Sequence, residues 1–143
     1  MDTLTYVMNW SQSSQLSNEN YEVIENEMLT DADFKGLTVS GALFSLTTFR
    51  NVTFRGSVFF ASKIENCTFV NCNFIDCSFQ FSSIIHSLFR RCSFEQSRWE
   101  LSTISDGCLI DCQLDYKTSF ILDQEPNQIS ASGKGGGESL KAA

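Results

Sequence analysis

The chain is short of the residues that chemistry usually requires. Among its 143 residues there is one histidine, His86, and one proline, Pro126. With a single imidazole, outward-facing by its register, and no serine-hydrolase elbow, zinc-protease helix motif or phosphate loop, the common hydrolytic and phosphate-handling sites are excluded. Gly133-Lys134-Gly135-Gly136-Gly137 lacks both the spacing and the preceding strand of a phosphate loop. No CxxC pair of cysteines exists, so the usual zinc ligand pair is missing. No charged leader followed by an apolar run is present, and nothing reads as a membrane span. These absences predict a non-enzymatic protein with no cofactor, no metal and no membrane segment. They also predict a cytoplasmic location, with thiols kept reduced. Triplets of glycosylation type at Asn9, Asn51 and Asn66 are weak counter-evidence, since the last two belong to a repeat described next. Proline is also the residue that removes a backbone donor. Its confinement to position 126 fits a chain that uses nearly every N–H in a ladder.

What the chain has instead is a period of five. Asn66-Cys67-Thr68-Phe69-Val70, Asn71-Cys72-Asn73-Phe74-Ile75 and Asp76-Cys77-Ser78-Phe79-Gln80 share one plan: polar, Cys, small polar, Phe, variable. Five matches neither the helix repeat nor the strand repeat, so the chain must turn regularly. Steps of five from Leu29 through Phe34, Val39 and Phe44 to Leu114 meet eighteen large apolar residues without a miss. With 42% of the chain apolar, chance gives that on the order of once in millions when matches to a template are counted. Two residues earlier in each unit the side chain is small, Glu27 and Leu37 being the exceptions.

This pattern resembles the pentapeptide-repeat family, whose units read small, polar, Leu or Phe, then two variable residues. The resemblance covers residues 28–117. It implies an all-β fold, a right-handed quadrilateral parallel β-helix (a β-solenoid) in which four units make one square coil, here about 4.5 coils with terminal caps. A period of twenty supports that geometry. Phe44, Ile64, Ile84 and Ile104 fall on one face, and Phe34, Phe54, Phe74, Phe94 and Leu114 on another. The inward column is then led by Phe49, Phe54, Phe59, Phe69, Phe74, Phe79, Phe89, Phe94 and Trp99. One coil cannot bury such a column alone, so neighbours and end caps must supply the stability.

The remaining segments divide by composition. Residues 1–27 form an acidic leader or cap, with five acids and no base; Tyr6, Val7, Met8 and Trp10 suit the cover of an open first coil. Residues 118–122 suit a cap over the last coil. Residues 123–143, rich in Gly and Ser towards their end, read as a disordered tail. Within residues 28–117 nine acids meet eight bases, so the rod is close to neutral although the chain carries −7. Arg90, Arg91 and Arg98 make a small basic patch balanced by Glu95 and Glu100, and direct nucleic-acid binding is not expected. Five of the six cysteines fall on the inward small position, where a thiol acts as a small buried hydrophobe. Cys108 is the exception, and Cys72, Cys92 and Cys112 should form a ladder one coil apart.

The outward positions supply the functional expectation. Most are polar, yet Phe60, Phe81, Ile85 and Leu101 are not. Phe81 and Leu101 are twenty apart at one corner, and Phe60 lies one coil below and one position back. An apolar patch of this kind marks a contact surface. The sequence therefore predicts a protein-binding module (a scaffold, regulator or inhibitor) with an unidentified protein partner, and it is compatible with a homodimer. The resemblance adds an alternative: some family members bind DNA gyrase as duplex mimics and protect it from quinolones or toxins, although those are longer and more acidic than this rod.

Overall fold

A computed structural model describes residues 22–131. The expected cover of the first coil by residues 6–10 lies outside the described residues, and so does the tail beyond residue 131. Within them the chain winds as a four-sided parallel solenoid in which each strand pairs with the one twenty residues away. The first face stacks Glu22–Glu25, Ala42–Ser45, Lys63–Glu65, Ser83–Ile85 and Thr103–Ser105. The fourth stacks Thr38–Ser40, Val58–Phe60, Ser78–Gln80 and Arg98–Glu100. The second and third faces share one sheet, because Met28–Lys35 and Thr48–Arg55 run across the corner between them.

The period of five becomes structure through the backbone at its corners. All eighteen corner residues, every fifth from Asn26 to Asp111, have φ between 50° and 69°. This is the left-handed region, which turns the chain and which Gly, Asn and Asp tolerate best. Most corner N–H groups donate to a carbonyl nineteen residues ahead, as Asn71 does to Arg90 at 3.0 Å and Asp76 to Glu95 at 2.8 Å. The corner is therefore part of the ladder and not an interruption of it.

Inside, the phenylalanines stack as the register demands. Phe49, Phe69 and Phe89 lie ring over ring at 4.6 and 4.7 Å, and Phe54, Phe74 and Phe94 at 5.3 and 4.7 Å. Neighbouring columns meet edge to face, as in Phe69 against Phe74 at 5.6 Å. The eight inward phenylalanines of the predicted column are buried. Trp99 is only partly so, because it ends its column and lies against the cap. Its ring stacks on Phe79 at 4.1 Å and its Nε1–H donates to Thr118 Oγ1 at 2.9 Å.

Two expected boundaries are corrected. The rod already includes Glu22–Glu25, ahead of residue 28, since Ile24 continues the register and its strand pairs with Ala42–Ser45. At the other end the cap is a helix, Tyr116–Leu122, started by Asp115, whose carboxylate accepts from Thr118 N–H at 2.7 Å and from Ser97 N–H at 2.9 Å. Beyond it the chain is not without structure. Asn127–Ser130 forms a strand on Gly107–Ile110, with Ile129 opposite Leu109. The helix and its following turn replace two repeat units without changing the count of twenty. Asn127 then takes the inward small position, donating to the carbonyls of Ile104 and Leu122 at 2.9 and 3.0 Å. The first and third faces have five levels and the second six, so the solenoid makes about five turns where 4.5 coils were expected.

Phe74 is the most heavily ringed core residue, with five aromatic neighbours. Phe74→Ala should lower the unfolding free energy by about 3–5 kcal/mol, measured by denaturant titration. A loss below 1 kcal/mol would mean that the column can collapse around the gap.

Candidate functional site

The interior offers no site. Its axial void is about 10 Å³ and is lined by apolar side chains such as Leu37, Val39, Phe44 and Phe49. That space is barely one water in size and has no polar partner to hold one. Among the described residues no group of three His, Cys, Asp or Glu side chains is placed to hold a metal ion, and no helix is long and apolar enough to cross a membrane.

The thiols sit where their register puts them. Cys67, Cys72, Cys77, Cys92 and Cys112 are buried and Cys108 is half-exposed, all six free. Each buried sulfur donates to nearby carbonyls, as Cys77 does to Phe54 at 3.3 Å and Cys92 to Phe69 at 3.3 Å. Burial pushes the Cys67 and Cys77 thiols up from the ordinary value of 9.0 to about 11. Cys92 is raised as well, by donating towards Cys112 and Cys72 and by burial, and the same contacts lower Cys72 and Cys112. Cys67, Cys77 and Cys92 are protonated space-fillers rather than nucleophiles.

The predicted basic patch is split by the fold. Arg98 ends the corner between the third and fourth faces, where its Nη1 meets Asp76 Oδ1 at 2.9 Å. Arg91 lies on the corner between the second and third faces and donates to Asn71 Oδ1 at 3.2 Å. The lone histidine meets Asp106 at 4.0 Å across an exposed corner.

The outward apolar residues are brought together more closely. The corner between the fourth and first faces reads Gly41, Ala61, Phe81, Leu101 up the rod, every one with positive φ. Phe81 is 55% exposed and Leu101 79% exposed. Phe60, 40% exposed, places its ring edge-on to Phe81 with centroids 5.6 Å apart and planes at 76°. Ile85 does not join them. It stands at the opposite edge of the first face, before His86, and is half-buried. The ridge therefore consists of Phe60, Phe81 and Leu101.

The backbone under this ridge is over-determined. Ser62, Ser82 and Ser102 follow the corner residues, and each hydroxyl donates back across the corner at 3.0–3.1 Å, to the carbonyls of Phe60, Gln80 and Glu100. The same oxygens accept from the N–H groups of Ala42, Ser62 and Ser82 one coil below, at 2.9–3.2 Å. A serine ladder thus locks three corners into a conformation that a bulky apolar residue avoids on its own.

Sequence reasoning missed other exposed apolar groups, namely Val23, Met28 and Leu46 near the start and Tyr116 and Phe120 on the terminal helix. Leu46 had a signal: it is the third bulky apolar residue in the corner register. The helical pair had none, since the repeat pattern stops before them.

Comparison with known proteins gives the following. The family model described as pentapeptide repeats, with eight copies, matches residues 29–63 and 57–96. Among solved structures, the chain is similar to trypsin-treated QnrB1, described as a plasmid-mediated fluoroquinolone resistance protein. The identity is 14% over 72% of this chain and 89% of that one, with a TM-score of 0.32. It is also similar to a putative glycosyl hydrolase from Parabacteroides merdae, at 8% identity over 89% of this chain and 84% of that one, with a TM-score of 0.27. No curated protein matches the chain.

The raised thiols make a test of their role. Unfolded, Cys67 and Cys77 ionise near 9.0; folded, they hold their protons to about 11. The stabilisation from keeping them neutral is fully present below pH 9 and is lost as the pH rises from 9 to 11. The loss is about 1.4 kcal/mol per unit for each thiol. Denaturant titrations across that window should show the fall, and Cys77→Ser should make it shallower. Equal slopes in the two proteins would contradict the burial argument.

Proposed function

Because the chain belongs to the pentapeptide-repeat family, we propose that it is a non-enzymatic protein-binding module whose contact surface is the Phe60–Phe81–Leu101 ridge. One observation carries the reading. Phe81 and Leu101 are bulky apolar residues in left-handed backbone, exposed, and directly successive in one column. A non-glycine residue held in that region costs on the order of 1–3 kcal/mol. Leaving a large apolar side chain in water forgoes a further contribution of about 1.5–3 kcal/mol. Eleven of the eighteen corners carry Asn, Asp or Gly and avoid the first cost. A corner that bears both costs twice in succession is best explained by a use outside the rod.

The gyrase alternative has no comparable support. Duplex mimicry asks for a continuous acidic face, whereas the outward acids of this rod are interleaved with bases, as Asp33 is with Arg55 at 3.1 Å. The outer surface is mixed in charge, and its apolar residues run in succession at the corner between the fourth and first faces.

Phe81→Ser combined with Leu101→Ser should leave the thermal midpoint nearly unchanged and weaken association with the partner or with a second copy. Differential scanning calorimetry beside sedimentation or pull-down reads both properties. A midpoint several degrees lower with association intact would make the ridge structural and end this reading.

A further inference from the structure

The occupant of the ridge can be deduced from its pitch, an inference that rests on the ridge being the contact surface. We propose that it receives an amphipathic α-helix lying along the rod axis, with apolar residues at i, i+3 and i+7. Phe60, Phe81 and Leu101 sit on successive coils, and the coils are spaced about 4.8 Å apart. The rings of the core columns bracket that step, with centroids 4.1–5.6 Å apart.

A helix rises 1.5 Å per residue, so i+3 lies about 4.5 Å and i+7 about 10.5 Å along its axis. The ridge presents apolar groups at one coil and two coils, about 4.8 and 9.6 Å. The helical period therefore follows the coils closely. An extended strand repeats its face about every 6.6–6.8 Å, or roughly 13 Å over two steps, and falls out of phase by the third residue.

The area points the same way. Partial exposure of two phenylalanines and a leucine offers roughly 300 Å², given 150–250 Å² for a whole aromatic side chain. That is well short of the roughly 800 Å² per partner typical of a stable protein–protein interface. It suits three anchors of a single helix laid against a fixed apolar surface. The edge-on contact of Phe60 with Phe81 holds that surface in shape before anything binds.

Charge sets the flanks. Lys63 stands on the first-face side of the lower ridge and Glu100 on the fourth-face side of the upper ridge. Both are outside the ion pairs formed among the described residues. The helix that fits best carries an acid beside its lower end and a base beside its upper end, on opposite flanks. Such rim charges mainly fix orientation and register.

The test uses the full chain and three fluorescent peptides of about 15 residues, the first two lactam-stapled, read by anisotropy. The first carries Leu at i, i+3 and i+7 with Glu and Lys facing Lys63 and Glu100. The second exchanges Glu and Lys. The third, unstapled, places the same leucines at i, i+2 and i+4. The first should bind at least tenfold more tightly than the third and severalfold more tightly than the second, and Phe81→Ser with Leu101→Ser should abolish that binding. If the strand-period peptide binds equally well, or no peptide binds, the helix inference fails. Self-association that the double variant removes would then leave the ridge as a contact surface with a second copy as its occupant. If instead the helical peptide binds the double variant as well as it binds the natural chain, both the helix inference and the ridge assignment fail. No peptide binding, together with a double variant that melts several degrees lower, would mean that the chain itself covers the ridge, and both would again be wrong.

Discussion

The whole rod depends on a turn in the left-handed region every five residues. Without it a pentapeptide would run on as strand, and the apolar residue of the next unit would miss the axis. The eighteen corners from Asn26 to Asp111 hold nearly one φ value, and most of their N–H groups join the same ladder as the strands. Corner and ladder therefore stabilise each other, and any one corner is held by the coils above and below it. That mutual support lets some corners carry residues that would be poor choices in isolation.

This explains how a strained corner can persist in the middle of the rod. At Phe81 the backbone is fixed by the ladder, by the Ser82 hydroxyl that bridges back across the corner, and by the ring stack of Phe59 and Phe79 beneath the fourth face; at Leu101 the Ser102 hydroxyl bridges back in the same way. The local preference of the side chain is overruled by tertiary structure. The rigid scaffold then presents its apolar groups at a spacing set by strand stacking, a distance side-chain motion does not alter. The axis is full, so what the rod presents to its surroundings is displayed on its corners and outward positions.

Much of the fold was legible because the period of five and the period of twenty are both properties of sequence alone. Phe54, Phe74 and Phe94 share a column for the same reason that they are twenty apart, and the inward cysteines follow from the register as well. The ends were less legible. A capping helix such as Tyr116–Leu122 obeys a different period and buries only Thr118 and Leu122, too little for a pattern to emerge in seven residues. Asn127–Ser130 rejoins the count of twenty after a gap of two units, and its inward Asn is larger than the residues that usually fill that position. The apolar ridge was visible as residues, but Ile85 was grouped with it as an outward apolar residue around the next corner, and the structure sets it at the far edge of the first face, half-buried. The backbone strain at the ridge could not be read from composition, since it depends on the position of each residue within a coil.

The central claim is that Phe81 and Leu101 are kept at their corners against the interest of the fold. Equilibrium unfolding of the single variants Phe81→Gly and Leu101→Gly tests it most directly. Glycine removes a large side chain and relieves the left-handed backbone, so the account predicts that neither variant loses stability and that either one gains up to about 1 kcal/mol. A loss of 2 kcal/mol or more at either corner would show that the side chain serves packing within the chain, and the account would be wrong.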